Sequence, residues 1–169
     1  LPPDAHYGEV VNCRPELEGV SAEEKIALAM EIDRQVASAD PRVEPQHTVV
    51  SSGSETFSLR NTLGLDLSHE SNMVYAYAGA LARDGERAAT GMKLLWGYDM
   101  KAVDAETIAR EATGEALDKL HAGRMKSGSY PVVIRSGAMA DLLSTFCGVF
   151  SADNAQKGLS LLAGREGEA

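Results

Sequence analysis

Apolar residues recur at three- and four-residue spacing in two stretches of the chain, and between them apolar and polar residues alternate in short runs. The first stretch predicts a helix over residues 22–39. Ser21 with Glu24 three positions on is the pattern in which each side chain satisfies an orphan backbone donor at a helix start. Ile26, Ala29, Met30, Val36 and Ala37 make the expected buried stripe. Asp40-Pro41 ends it, because proline cannot continue the ladder and biases the preceding residue away from helix. The second stretch predicts a helix over 105–122, capped by Asp104 and closed by Gly123, with Ile108, Ala112, Ala116, Leu117 and Leu120 inward. Gly114 inside it costs about 1 kcal/mol relative to alanine.

Between the helices, 48–51, 56–60, 65–70, 73–82 and 87–97 read as strands. Ser52-Gly53, Asn61 with Gly64, Ser71-Asn72 and Asp84-Gly85 punctuate them as turns. Asp84-Gly85 is the strongest of these signals, since both residues tolerate the positive φ of a type I′ hairpin. Short connections imply antiparallel neighbours, so 73–82 and 87–97 should pair. Thr56, Ser58 and Arg60 pointing one way and Phe57 and Leu59 the other fit a sheet with one covered face. The expected fold class is α+β: an antiparallel β-meander with both helices against one face, from Glu18 to about Lys126.

Lys126-Ser127-Gly128-Ser129 is a polar hinge, and the pattern changes after it. Residues 130–135 form a compact apolar strand, 138–150 an apolar helix-like run, and 157–163 another apolar stretch. This divides the chain into 1–126 and 127–169, the latter the expected start of a second, β-rich domain. Residues 1–20, with Pro2, Pro3 and Pro15, read as a linker or connecting strand. Because it opens at Leu1 and stops at Ala169, we read it as a segment of a longer chain.

With 44% hydrophobic and 24% charged residues over 169 positions, the chain can hold a core and lacks the signature of disorder. A formal charge of -9 argues against nucleic acid, whose binding draws on clustered Lys and Arg. The basic pairs Arg124/Lys126 and Arg83/Arg87 read as solvated surface. No apolar run is long enough for a membrane span and no secretion signal is present, so a cytoplasmic location is expected. Cys13 and Cys147 have no CxxC spacing and read as free thiols, Cys147 as a buried structural one.

Chemistry is sparse. His6, His47, His69 and His121 are scattered, and none has a second histidine at helical spacing as a zinc site on one helix face requires. His69-Glu70 begins such a string, but Met73 and Val74 stand where the second imidazole belongs. His121 near a helix end suits the dipole there. No GxSxG elbow and no glycine-rich phosphate cradle occurs; the Gly91 to Gly97 stretch, with Met92, Leu94 and Trp96, suits a strand packed on a helix. Ser51 to Ser58 reads as a polar sheet face or turn. Glu23-Glu24 and Glu166 with Glu168 read as a helix start and a solvated tail. No catalytic, cofactor-binding or metal-binding residue is assigned, and no cofactor.

Gly128-Ser129-Tyr130-Pro131-Val132-Val133-Ile134, then Gly137 to Leu143, then Phe150-Ser151-Ala152 and Gln156 to Ser160, resemble the opening of the carboxy-terminal domain in the TldD/PmbA family, once labelled modulators of DNA gyrase. Asn61-Thr62-Leu63-Gly64-Leu65 and the 105–122 helix resemble that family's strand-turn segment and the helix before the join. The resemblance implies zinc peptidases acting as paired subunits on unstructured peptides in the cytoplasm. In the zinc-bearing type an HExxxH string follows two leucines like Leu142-Leu143. Here Ser144, Thr145 and Val149 occupy the histidine, glutamate and second histidine positions, and only Gly148 agrees.

A hydroxyl and a valine cannot replace imidazoles on zinc, nor threonine the carboxylate that activates zinc-bound water. The resemblance therefore implies a PmbA/TldE-like, non-catalytic subunit, partnered by a zinc-bearing TldD-type subunit or by a second copy, and contributing to peptide binding. The competing reading is a free-standing module that takes up an extended peptide by strand addition. A third, an enzyme using Cys147 or Ser144, requires an exposed, activated side chain.

Overall fold

Ser21 starts the long helix as its sequence requires. Its hydroxyl accepts from the Glu24 N–H and the Glu24 carboxylate accepts from the Ser21 N–H, so two orphan donors are satisfied reciprocally. In the computed structural model, which describes residues 8, 10–165 and 167, this helix is α2 (Ala22–Ala39), preceded by a single turn, α1 (Pro15–Glu18). Ser21→Ala is expected to lower stability by about 1 kcal/mol, read as a shift of the urea midpoint at unchanged slope.

Three strands follow: β1 (Val43–Arg60), β2 (Asp66–Asp84) and β3 (Arg87–Gly97), then a 3-10 turn (Met100–Ala102) and the helix α3 (Ala105–Leu120). The sheet is antiparallel in the order β1-β2-β3, so the expected α+β meander and the pairing of its last two strands are present. The strand count is corrected. Ser52-Gly53 and Ser71-Asn72, expected as turns, lie inside the ladder almost facing each other, with Gly53 opposite Met73 and Ser54 opposite Asn72. β3 ends at Gly97 opposite Val74, so β1 and β2 run on past it as a two-stranded ribbon. With no third strand there, Ser52, Gly53 and Ser71 stay partly or fully exposed and carry little desolvation cost, while Asn72 is buried with its amide bonded to Arg14, so small polar residues stand inside the ladder as they would in a turn.

The ribbon does turn at Asn61. Its carboxamide oxygen accepts from the Leu63 and Leu65 N–H groups, and Gly64 takes φ +90. The second hairpin is displaced by one residue from its expected form. Asp84 pairs with Arg87, leaving Gly85-Glu86 as the loop, and only Gly85 (φ +58) is left-handed. A positive φ at the first loop position alone is the II′ pattern rather than I′.

The helices cover one face of the sheet, whose residues are small. Val74, Ala76, Ala78, Ala80 and Ala82 of β2 are fully buried beneath them, with Ile32, Val36 and Ile108 above. The α3 stripe is as expected, and of the α2 stripe Val36 is buried as expected while the rest is rotated. Ile26 and Met30 are exposed, and Ile32 and Val36 are the buried pair, with Leu28 packed against them. Ile32 and Val36 are four residues apart, as are Leu28 and Ile32, so the alternative stripe obeys the same periodicity.

A bulge keeps the faces consistent along β1. Pro45 pairs with Ala80 and His47 with Gly79, so Gln46 is the extra residue. Proline is tolerated because β1 is an edge strand.

The chain divides into two compact units, Leu1–Arg124 and Met125–Ala169. In the second are α4 (Ser136–Phe146), a 3-10 turn (Cys147–Phe150) and α5 (Ala152–Gln156), none with a buried residue. The strand expected over 130–135 is not formed. A strand needs a ladder partner, the described residues of this unit provide none, and Val133 is 98% exposed. Cys147, expected to be buried, is exposed, because nothing in this small unit covers its turn. In the stretch 1–20, expected as a linker or connecting strand, the described residues hold a bridge at Asn12 and the α1 turn from Pro15; Pro2, Pro3, His6, Glu166 and Glu168 lie outside the described residues.

Candidate functional site

The first unit has a cleft of about 720 Å³ beside the ribbon, between Phe57, Leu59 and Leu67 on one side and Val10, Val11 and Cys13 on the other. It exists because β2 outruns β3, leaving part of its edge without a strand neighbour among the described residues. Phe57 was expected to face a covered layer. It stands 57% exposed at this cleft instead, because its ladder partner His69 lies on the same face of β2 as Met73, the face away from the helices.

Asn12, Cys13, Ser68, His69 and Glu70 bring the polar groups to its lining. No group of three or more His, Cys, Asp or Glu among the described residues is placed to hold a metal ion.

The other described histidines, His47 and His121, are placed apart. His47 meets Tyr77 edge-on with ring centroids 5.5 Å apart, and its ring lies over Gly79, where a Cβ would come within 3.0 Å. His121 is the C-cap of α3, the position its dipole favours for a charged imidazole. On the face of the sheet away from the helices, Met73, Met92, Leu94 and Trp96 remain exposed, and Trp96 packs edge-on against Tyr98.

The shifted carboxylates belong to the scaffold. Hydrogen bonds from the Arg34 and Gln35 side chains hold Glu31 down at about 2, and the Arg42 guanidinium and N–H hold Asp40 at about 2. Asp104, the cap of α3, is lowered by its hydrogen bonds to Thr107. None of the three lines the cleft.

In the second unit, Ser144 and Thr145 lie in the last turn of α4 and Val149 in the 3-10 turn that follows. The Thr145 hydroxyl donates to the Asp141 carbonyl at 2.9 Å, and the Ser144 carbonyl accepts the N–H of Cys147. The Val149 carbonyl accepts the Ser160 hydroxyl. These residues do not fit the zinc that the sequence resemblance raises: valine has no side-chain donor, and neither hydroxyl equals an imidazole or a carboxylate.

Sequence reasoning missed Asn72, which is buried at 3% exposure and bonded through its side chain to Arg14. Its signal was a lone amide at the head of an apolar strand, where burial demands partners.

Among the described residues no helix is long and apolar enough to cross a membrane. No curated protein matches the chain. Several solved structures share its fold, three of them as follows. One is a candidate modulator of a DNA gyrase from Thermotoga maritima, 28% identical, with TM-score 0.87, covering 95% of this chain and 37% of that one. TldE from Thermococcus kodakarensis is 21% identical, with TM-score 0.83 over 99% of this chain and 38% of its own. Another candidate modulator of DNA gyrase, from Bacteroides thetaiotaomicron, is 17% identical, with TM-score 0.83 over 95% and 37%. The chain thus spans well under half the length of each of these three structures. Residues 15–120 match the PmbA/TldA metallopeptidase central domain and residues 127–169 the PmbA/TldA metallopeptidase C-terminal domain, and the chain belongs to the PmbA/TldD metallopeptidase family.

Proposed function

We propose that this chain is part of a PmbA/TldE-like subunit that does not hydrolyse peptides itself and that pairs with a zinc-bearing TldD-type subunit in a cytoplasmic peptidase acting on unstructured peptides. The observation that carries this reading is the side-chain set Ser144, Thr145 and Val149 at the positions of the expected HExxxH string. The chain's own share would be assembly with the partner and shaping of the peptide-binding space.

Purified alone, the chain is expected to contain no stoichiometric zinc and to show no chelator-sensitive peptidase activity. The triple variant Ser144→His, Thr145→Glu, Val149→His should also fail to bind zinc tightly, since it supplies two imidazoles where a site needs at least about three ligands. Metal analysis finding one tightly bound zinc per unmodified chain would overturn the assignment. Expressed with a candidate TldD-type subunit, the chain should co-purify with it at equal stoichiometry. A free-standing peptide-binding module is the second reading, favoured by the exposed part of the β2 edge beside the cleft. Retention of varied peptides and of no peptidase subunit would support it instead.

A further inference from the structure

The segment leading into α1 meets β2 over a very short length. Asn12 bridges Ser71 in parallel register, and the Asn72 N–H donates to the Asn12 carbonyl at 3.1 Å. The Asn72 side chain then takes both backbone groups of Arg14. Its Nδ2 donates to the Arg14 carbonyl at 2.7 Å and its Oδ1 accepts the Arg14 N–H at 2.8 Å. All three bonds are to backbone atoms, so they anchor the segment whatever its side chains are. Burial of Asn72 strengthens them, because an amide left unpaired there costs about 1–3 kcal/mol.

Towards the amino terminus the pairing stops at Asn12. Val10 and Val11 are 60% and 62% exposed, and the cleft opens between them and the ribbon. Both are β-branched residues suited to a strand, standing beside a strand edge that has no other neighbour among the described residues. Continuing the parallel register from Asn12 places Val11 opposite Glu70 and Val10 opposite His69. Strand alternation turns the Glu70 N–H to the same side as that of Asn72, toward the position the Val10 carbonyl would take. Val10 would then share a face with His69 and, across the ladder, Phe57.

We propose that residues 10–14 form a strap that Asn72 holds at one end and whose Val10-Val11 end zips onto the β2 edge, closing the cleft over Phe57, Leu59 and Leu67. The Val10-Val11 stretch costs little to move, since only backbone bonds at the edge and the burial of two valines distinguish the open and closed forms. Strap closure removes from solvent both the apolar lining and the edge that an extended segment would need.

Amide hydrogen exchange of the whole chain, read by NMR, tests this. In the closed form the Glu70 N–H donates to Val10 and the Val10 N–H to the Ser68 carbonyl, so Glu70 should exchange about tenfold or more slower than an unprotected amide. Val10→Pro removes that second donor and should abolish the Glu70 protection while leaving the amides of 74–84 unchanged. Asn72→Ala, if it folds, should also free the Asn12 end and speed thiol labelling of Cys13. An unprotected Glu70 amide in the native chain, or equal protection in Val10→Pro, would overturn the strap; Val10→Pro lies outside the core, so the test survives failure of the Asn72 variant to fold.

Discussion

Ile108→Ala is expected to lower the free energy of unfolding by about 2–5 kcal/mol, toward the upper part of that range. Ile108 sits in the first turn of α3, fully buried in the cluster that holds Ile32 and Val36 of α2 and the alanine face of β2. The lost transfer free energy is only part of the cost. Alanine side chains cannot extend into the space left behind, so the cavity stays open unless the helix moves, and cavity volume adds to the loss. Urea unfolding should show a large fall in midpoint with little change in slope. Ile26→Ala is the control, because Ile26 is 58% exposed on α2 and its truncation should change stability by no more than about 0.5 kcal/mol. Equal losses at the two positions would show that the buried side of α2 has been assigned wrongly.

Gly91→Ala should cost about 3 kcal/mol or more, at or above the usual range for overpacking. A Cβ at Gly91 would lie 2.2 Å from the Ala112 carbonyl oxygen and 2.5 Å from the Ala116 nitrogen. Both atoms belong to the α3 backbone, which cannot turn aside as a side chain does. The helix must lift from the sheet. Lifting it also threatens the contacts that cover the β3 edge, where the Met92 N–H donates to Glu115 at 2.8 Å and Lys119 donates to the Thr90 carbonyl at 3.0 Å. Gly53→Ala is the matched control. A Cβ there meets nothing within 4 Å, so its effect should stay within about 0.5 kcal/mol. Thermal unfolding of the two variants separates a backbone collision from the general effect of losing a strand glycine. A Gly91→Ala protein as stable as the parent would mean that α3 does not pack this closely.

What the sequence determined by itself is local in its physics. The ends of α2 follow from Ser21, Glu24 and Asp40-Pro41, because caps act within four residues. The turn at Asn61 and Gly64 and the place of the hairpin at Gly85 follow from side chains that tolerate or stabilise special backbone angles. The replacement of HExxxH by Ser144, Thr145 and Val149 is likewise a matter of donor atoms, and the candidate function rests on it. Only the tertiary structure decided the rest. Whether Ser52-Gly53 and Ser71-Asn72 turn or run straight depends on each being the other's ladder neighbour, and no local propensity carries that information. The inward side of α2 was settled by where α3 and the alanines of β2 lie, since stripes through Ile26 and through Ile32 have the same period. Cys147 is exposed, and 130–135 unpaired, because burial and strand formation both require a covering partner that an apolar run cannot specify alone. The cleft beside the ribbon has the same origin: it follows from β2 outlasting β3, a difference in length that appears only once the strands are side by side.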